Sequence, residues 1–211
     1  SVWLKSLANI FEERVGTNPK NCVIVRQALY VPNRSALIFL DSRVIRIDSM
    51  KIIVQAGGLG TRMRALTTNK PKALIPVKNS PILFHLLGEF NRPEDEFIII
   101  GDYKYDVLDR YLSTFAKKQR YILIKSSVKG NASGIREALS YVPDNEPVLL
   151  VWSDLILPEG FKNVIDACDL KGGCAIGTVD FPCSWRVENN QFVHEKGDKN
   201  GVAGLYVFAH N

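Results

Sequence analysis

Within one short stretch, Gly57, Gly58, Gly60, Arg62 and Lys72 have the types and spacing for chemistry on phosphate groups. Glycines let backbone N–H groups come close to a ligand, and a row of such amides at a strand end forms an anion-binding concavity. Arg62 adds a planar charged fork suited to phosphate oxygens. Lys72 follows ten positions later, after Pro71, on a segment able to fold back across the same loop. Two cations converging on one glycine loop point to a polyphosphate. The Walker A loop needs a Gly-Lys-Ser/Thr ending that Gly57 to Met63 (GGLGTRM) lacks. A dinucleotide-binding GxGxxG begun at Gly58 and Gly60 meets Met63 where a third small residue belongs, and no strand-ending acid sits about twenty residues on.

The run Gln55, Ala56, Gly57, Gly58, Leu59, Gly60, Thr61, Arg62, followed by Leu66, Thr67, Pro71, Lys72, Pro76 and Val77, resembles the signature of the sugar-1-phosphate nucleotidylyltransferases, roughly (L/V)AGGxGTRxxPLTxxxPKxxxPV. Gln55 stands where that family has an apolar residue and Ala65 where it has Pro; neither removes a phosphate ligand. The resemblance implies transfer of a nucleoside monophosphate from an NTP to a sugar 1-phosphate, with pyrophosphate leaving. Ala56, Gly57, Gly58, Gly60, Thr61, Arg62 and Lys72 would then hold the nucleotide, with Arg62 on the β- and γ-phosphates and Lys72 on the α-phosphate. Lys129 to Leu139 (KGNASGIREAL) resembles the family's second loop, which meets base and ribose, and so adds Gly130, Asn131, Ser133 and Gly134.

Asp154 ends the apolar run PVLLVWSD, where a carboxylate can reach the open crevice of an α/β sheet. It resembles the family's magnesium-binding Asp, which makes Mg²⁺ the implied cofactor and Asp154 a catalytic, metal and acceptor-side residue. Glu195 and Lys196 resemble the Glu-Lys motif whose Lys binds the acceptor's phosphate, and VAGLYVF, with Gly204, resembles the strand NAGIYVF. Val202 replaces an Asn that touches the sugar in many members. A cytidylyltransferase acting on phosphocholine or another small phosphate ester is therefore an open alternative. A domain that binds nucleotide without turnover is a further alternative of another class.

Plainer readings exist for several of these residues. The glycine loop could be an ordinary strand-to-helix turn with surface cations. Asp154 could be a helix cap or turn residue, since Asp is common at both. Lys196 lies in the polar run Glu195 to Asn200 and could be a solvated lysine. His85, within the apolar PILFHLL, reads as a packed or satisfied core histidine; His194 and His210 carry no partner pattern.

These residues need a scaffold, and the alternation of apolar runs with helical periodicity supplies one: an α/β, mostly parallel sheet with helices on both faces. The resemblance implies that this sheet is Rossmann-like, of the nucleotide-diphospho-sugar transferase type. Strands are expected at Lys51 to Ala56, Phe97 to Gly101, Tyr121 to Lys125, Val148 to Trp152, Cys174 to Val179 and Ala203 to Phe208. Crossover helices are expected at Pro81 to Phe90, Asp106 to Lys117, Ser133 to Val142 and Glu159 to Cys168. The resemblance implies that residues 50–211 are the nucleotidyltransferase domain, either a shortened version or one whose C-terminal part lies beyond Asn211. Residues 1–49 read as a small α+β appendage: an amphipathic helix ended by Gly16, then strands at Cys22 to Tyr30 and Ala36 to Ile47 joined by a turn at Pro32-Asn33. The family's chains commonly start just before the glycine loop, so this module is expected to be separable. The family's second metal-binding Asp, expected after VAGLYVF, has no counterpart before Asn211.

With 211 residues and 46% hydrophobic content, the chain can bury a sizeable core. No apolar run has the length of a membrane span and no leader pattern opens the sequence, so a cytosolic enzyme without membrane contact is expected. Cys22, Cys168, Cys174 and Cys183 show no paired metal spacing and read as reduced thiols. The net charge of +5 is spread along the chain, which suits an NTP and a phosphorylated acceptor and argues against nucleic acid as partner. A homo-oligomer is compatible with all of this.

Overall fold

The computed structural model describes residues 22–26, 49–90, 92–126, 131–144, 146–157, 160–166, 174–179, 184–188, 191–197, 199 and 201–208. Its organising strand is β2 (Lys51–Gln55), whose Ile52, Ile53 and Val54 are buried because the strand is covered on both faces. It pairs in parallel with β5 (Glu96–Gly101) on one side and β7 (Val148–Trp152) on the other. Beyond β5 lies β6 (Tyr121–Lys125), again parallel. Beyond β7 lies β11 (Gly201–Phe208), antiparallel to both β7 and its other neighbour β8 (Cys174–Val179). The short strands β9 (Arg186–Glu188) and β10 (Gln191–Val193) pair with each other, and β9 also touches β11. A separate two-stranded hairpin is formed by β3 (Pro76–Val77) and β4 (Ser80–Pro81).

Among the described residues, four helices cover the sheet: α1 (Ile82–Glu89), α2 (Tyr105–Phe115), α3 (Asn131–Leu139) and α4 (Phe161–Asp166). Leu83, Leu86 and Leu87 of α1, Leu108 and Leu112 of α2, and Phe161 and Ile165 of α4 pack with Ile52, Val54, Phe97, Ile99 and Val151 on one face. Ile135 and Ala138 of α3 pack with Ile53, Ile98, Ile100, Leu150 and Tyr206 on the other. Alternation along each strand sends successive side chains to opposite faces, which is why the apolar strands read as continuous runs. The helices on both faces and the mostly parallel sheet agree with the expected architecture. Among the described residues, no helix is long and apolar enough to cross a membrane.

Residues 1–49 differ from an appendage lying apart in one respect. Strand β1 (Cys22–Arg26) joins the main sheet, in parallel register with β8 from Cys22↔Cys174 to Arg26↔Thr178. A sheet edge offers unpaired N–H and C=O groups to any strand of matching direction, and β1 fills that place. The expected N-terminal helix, the strand at Ala36 to Ile47 and the turn at Pro32-Asn33 lie outside the described residues, as do Cys168, Cys183 and His210.

This pairing has a measurable consequence. A chain beginning at Met50 leaves the outer edge of β8 bare, so it should melt at lower temperature than the full chain and scatter more light at equal concentration. Equal melting temperature and no added scattering would show residues 1–49 to be separable.

Candidate active site

All the parallel strands point their C-terminal ends to the same edge, and the loops leaving β2, β5 and β7 meet there. Ala56 closes β2, buried, with its N–H donating to the Ile100 carbonyl at 2.9 Å. Gly57 lies so close to the chain after β5 that a Cβ would stand 2.9 Å from Asp102 Cβ. Only glycine lets the two strand ends converge this far. Gly58 is exposed and faces open space, leaving its backbone accessible from the crevice.

Gly60 has left-handed backbone (φ +61°), and a Cβ there would stand 2.9 Å from Thr67 Cγ2 and 3.1 Å from Lys72 Cβ. The Lys72 segment therefore does fold back onto the loop. Between them, Thr61–Thr67 forms two 3-10 turns broken at Arg64, whose φ of 49° and ψ of −121° are rare outside glycine. Such a conformation costs on the order of 1–3 kcal/mol and persists only where neighbours hold it. Thr67 Oγ1 donates to the carbonyls of Arg64 at 3.2 Å and Gly60 at 3.3 Å. The Tyr103 hydroxyl donates to the Thr67 carbonyl at 2.9 Å. Thr61, Arg62 and Arg64 are exposed, so the cations of this turn face solvent from a braced loop.

Lys72 opens a short 3-10 turn, Lys72–Leu74, whose Ala73 and Leu74 are buried. Across the crevice, Asp154 follows β7 in a turn, and Ser153 donates its backbone N–H to the Gln55 carbonyl at 3.2 Å. Lys72 Nζ donates to Asp154 Oδ2, joining side chains 82 positions apart in sequence. Both side chains are nearly a third exposed, 27% and 30%. A pair this wet adds about 1 kcal/mol or less to stability. Its importance is positional: it brings one cation and one carboxylate to a single point beside the glycine loop. Among the described residues no cluster of three or more His, Cys, Asp or Glu could hold a metal ion.

The remaining expected residues divide. Asn131, Ser133 and Gly134 lie at the start of α3, while Gly130 is outside the described residues. Gly134 is buried, and a Cβ there would come within 2.6 Å of Ile100 Cγ2. Its absent side chain brings α3 down onto β5, so Gly134 acts by letting the helix pack. Glu195 is held by Arg186, whose Nη2 reaches Glu195 Oε2 at 3.0 Å and whose Nε donates to the Glu195 carbonyl at 3.1 Å. Arg186 also pairs with Glu188 at 2.8 Å and lies against Gly197. Arg186 thus sets the path of the exposed Lys196. Gly204 lies in β11 with φ +77° beneath the Trp152 ring.

His85 is the satisfied histidine the apolar stretch suggests, with Nε2 2.8 Å from the Val77 carbonyl. His194, for which the sequence offers no partner pattern, lies with its ring against Trp185, centroids 4.4 Å apart and planes tilted by 34°. Thr67 belongs to the signature run, but its bracing of the turn, like that by Tyr103 and Arg186, carried no sequence signal, because each acts through backbone carbonyls.

Similarity to known proteins follows the same outline. Residues 51–192 match the nucleotidyl transferase family. The catalytic subunit beta of mannose-1-phosphate guanylyltransferase from Dictyostelium discoideum is 28% identical over 181 residues, covering 75% of this chain and 49% of that protein. The glucose-1-phosphate cytidylyltransferase of Salmonella typhimurium is 26% identical, covering 63% of this chain and 61% of that protein. The chain spans about half or less of the length of the guanylyltransferase subunit and of the bifunctional GlmU proteins it also matches. Among solved structures, a UDP-glucose pyrophosphorylase complexed with UDP-glucose superposes with a TM-score of 0.59 at 16% identity, covering 75% of each chain. The inositol-1-phosphate CTP transferase from T. maritima gives 0.59 at 19% identity, covering 75% of this chain and 70% of that one. At these identities the superpositions speak for the fold, whereas the sequence match runs from the glycine loop past Asp154 and makes this chain a member of the nucleotidyl transferase family.

Proposed function

We propose that this chain transfers a nucleoside monophosphate from an NTP to a sugar 1-phosphate and releases pyrophosphate. The observation that carries this reading is the convergence of the glycine loop, Lys72 and Asp154 at one sheet edge. The named activities of the relatives, on mannose 1-phosphate and glucose 1-phosphate, support the acceptor class.

An oxygen of the acceptor's phosphate forms a new bond to the α-phosphorus as the bond between that phosphorus and the α–β bridging oxygen breaks. The electron pair leaves with pyrophosphate. No side chain needs to form a covalent intermediate, so catalysis rests on positioning and charge neutralisation. The exposed amides of the glycine loop and Arg62 take the β- and γ-phosphates. Lys72 takes the α-phosphate, where charge builds as the bond breaks. Lys196, on the arm set by Arg186, meets the phosphate of the acceptor.

Asp154 suits Mg²⁺, a hard cation usually bound through one or two carboxylates with substrate phosphates and water completing an octahedral shell. The Asp154 carboxylate, set against Lys72 beside the glycine loop, fits that habit. The ion would supply charge neutralisation at the phosphates. Asp154 is also the residue that holds Lys72 in position in the free protein.

Pyrophosphate release across the four NTPs, tested against hexose 1-phosphates and phosphocholine, checks the reading directly. Turnover with a hexose 1-phosphate is expected; turnover confined to phosphocholine, or none with any pair, would overturn it. Arg62→Ala should weaken NTP binding by about tenfold or more, the scale of a lost charge-assisted contact, as read by calorimetric titration. Unchanged affinity would make the loop a plain structural turn. Lys72→Ala should lower kcat by about 10²-fold while raising KM for NTP much less, because its contact strengthens in the transition state. Full kcat with a raised KM would confine Lys72 to substrate capture. Asp154→Asn keeps shape while removing charge and should abolish most turnover at limiting Mg²⁺; near-normal activity there would remove Asp154 from the metal site.

A further inference from the structure

At the crevice edge the strand register sets three residues side by side: Gln55 of β2, Trp152 of β7 and Gly204 of β11. Gln55 pairs with Trp152 in the β2–β7 register. Gly204 lies one residue on from the Leu205–Val151 pair of β7 and β11. All three fall on the sheet face that carries Ile53, Leu150 and Tyr206. Gly204 is fitted to the indole in two ways. Its φ of +77° is open to glycine, and an added Cβ would overlap Cδ2 and Cε3 of the ring. The indole therefore lies across the backbone of β11. Trp152 is only half-buried, unlike Val148 to Val151 before it in β7.

We propose that Trp152 forms the floor of the acceptor subsite, on which the apolar face of a sugar ring stacks. This rests on the nucleotidyl-transfer reading above and names the residue that selects its acceptor. Three observations carry it. Trp152 is two residues before Asp154, so both leave the same C-terminal end of β7, where Asp154 meets Lys72. It sits on the β11 side of β2, whereas Gly57 of the glycine loop packs on the opposite side against Asp102, after β5. The donor's loop and the indole thus occupy opposite flanks of β2. Third, one face of a pyranose presents only C–H groups, and the electron-rich face of an indole attracts such hydrogens. Small-molecule sites are commonly lined by an aromatic side chain with a few polar groups beside it, a place that the amide of Gln55 is suited to take.

The test uses the full chain with Mg²⁺ and a non-hydrolysable NTP, titrated with glucose 1-phosphate and separately with mannose 1-phosphate while tryptophan fluorescence is followed. A saturable change in the wild type, lost in Trp152→Leu, is the expected result. Trp152→Phe should recover binding. In turnover, Trp152→Leu should raise KM for the hexose phosphate roughly five- to tenfold, the range of an aromatic contact, with KM for NTP unmoved. Thermal melts of each variant distinguish loss of the stack from loss of the fold. An active wild type whose acceptor KM is untouched in a folded Trp152→Leu would overturn the assignment and leave the nucleotidyl-transfer reading standing. A larger rise in KM for NTP than for the hexose phosphate would place the ring on the donor side and equally overturn it. Absence of any fluorescence change with either hexose phosphate in the wild type would do the same.

Discussion

The parallel clamping of β2 between β5 and β7 is the constraint on which the rest depends. Five residues of β2 are in register with partners on both sides, so its C-terminal end cannot drift relative to either neighbour. Burial of Ile52, Ile53 and Val54 contributes about 1.5–3 kcal/mol apiece, so a shift in register would cost several times the worth of any surface ion pair. The glycine loop leaves from the fixed end of β2 and Asp154 from that of β7, while the chain after β5 packs on Gly57. The pair of Lys72 with Asp154 follows from this placement and does not create it.

Close backbone approach is the second theme. Gly57, Gly60, Gly134 and Gly204 each stand where a methyl group would collide with a different structure: a neighbouring strand end, the returning Lys72 segment, the sheet, and an indole. Where glycine was not used, at Arg64, the chain accepts an unfavourable conformation and anchors it through Thr67 and Tyr103. A loop held in this way can meet a triphosphate without first ordering itself, which lowers the entropic cost of binding.

Local features were legible in the sequence and nonlocal ones were not. The apolar runs at Tyr121–Lys125, Val148–Trp152 and Cys174–Val179 appear as strands with the bounds their composition implies. Helices α1 and α2 were found with ends displaced by a residue or two; both begin without a side-chain cap hydrogen bond, so no residue type marks their first turn. Membership of Cys22–Arg26 in the main sheet could not be read, since its partner β8 lies some 150 positions on and pairing leaves no local trace. Trp152 passed for one more apolar residue closing a buried strand. Nothing in its neighbourhood reveals that a glycine in β11 will be drawn beneath its ring. The glycine loop itself was plain because its function depends on residue types at consecutive positions.

The place of β11 in the sheet also bears on how the chain is made. Among the described strands β11 comes last in sequence, yet it lies in the middle, joining β8 and β1 on one side to β7, β2, β5 and β6 on the other. During synthesis, which proceeds from the N-terminus, the two halves must wait as open half-sheets until Gly201–Phe208 leaves the ribosome. β7 and β8 meanwhile present facing edges with nothing between them, the condition in which nascent chains pair with the wrong strand or with one another. A fold closed at its centre by a late strand leaves these edges bare for longer during translation than one built outward from a central strand would.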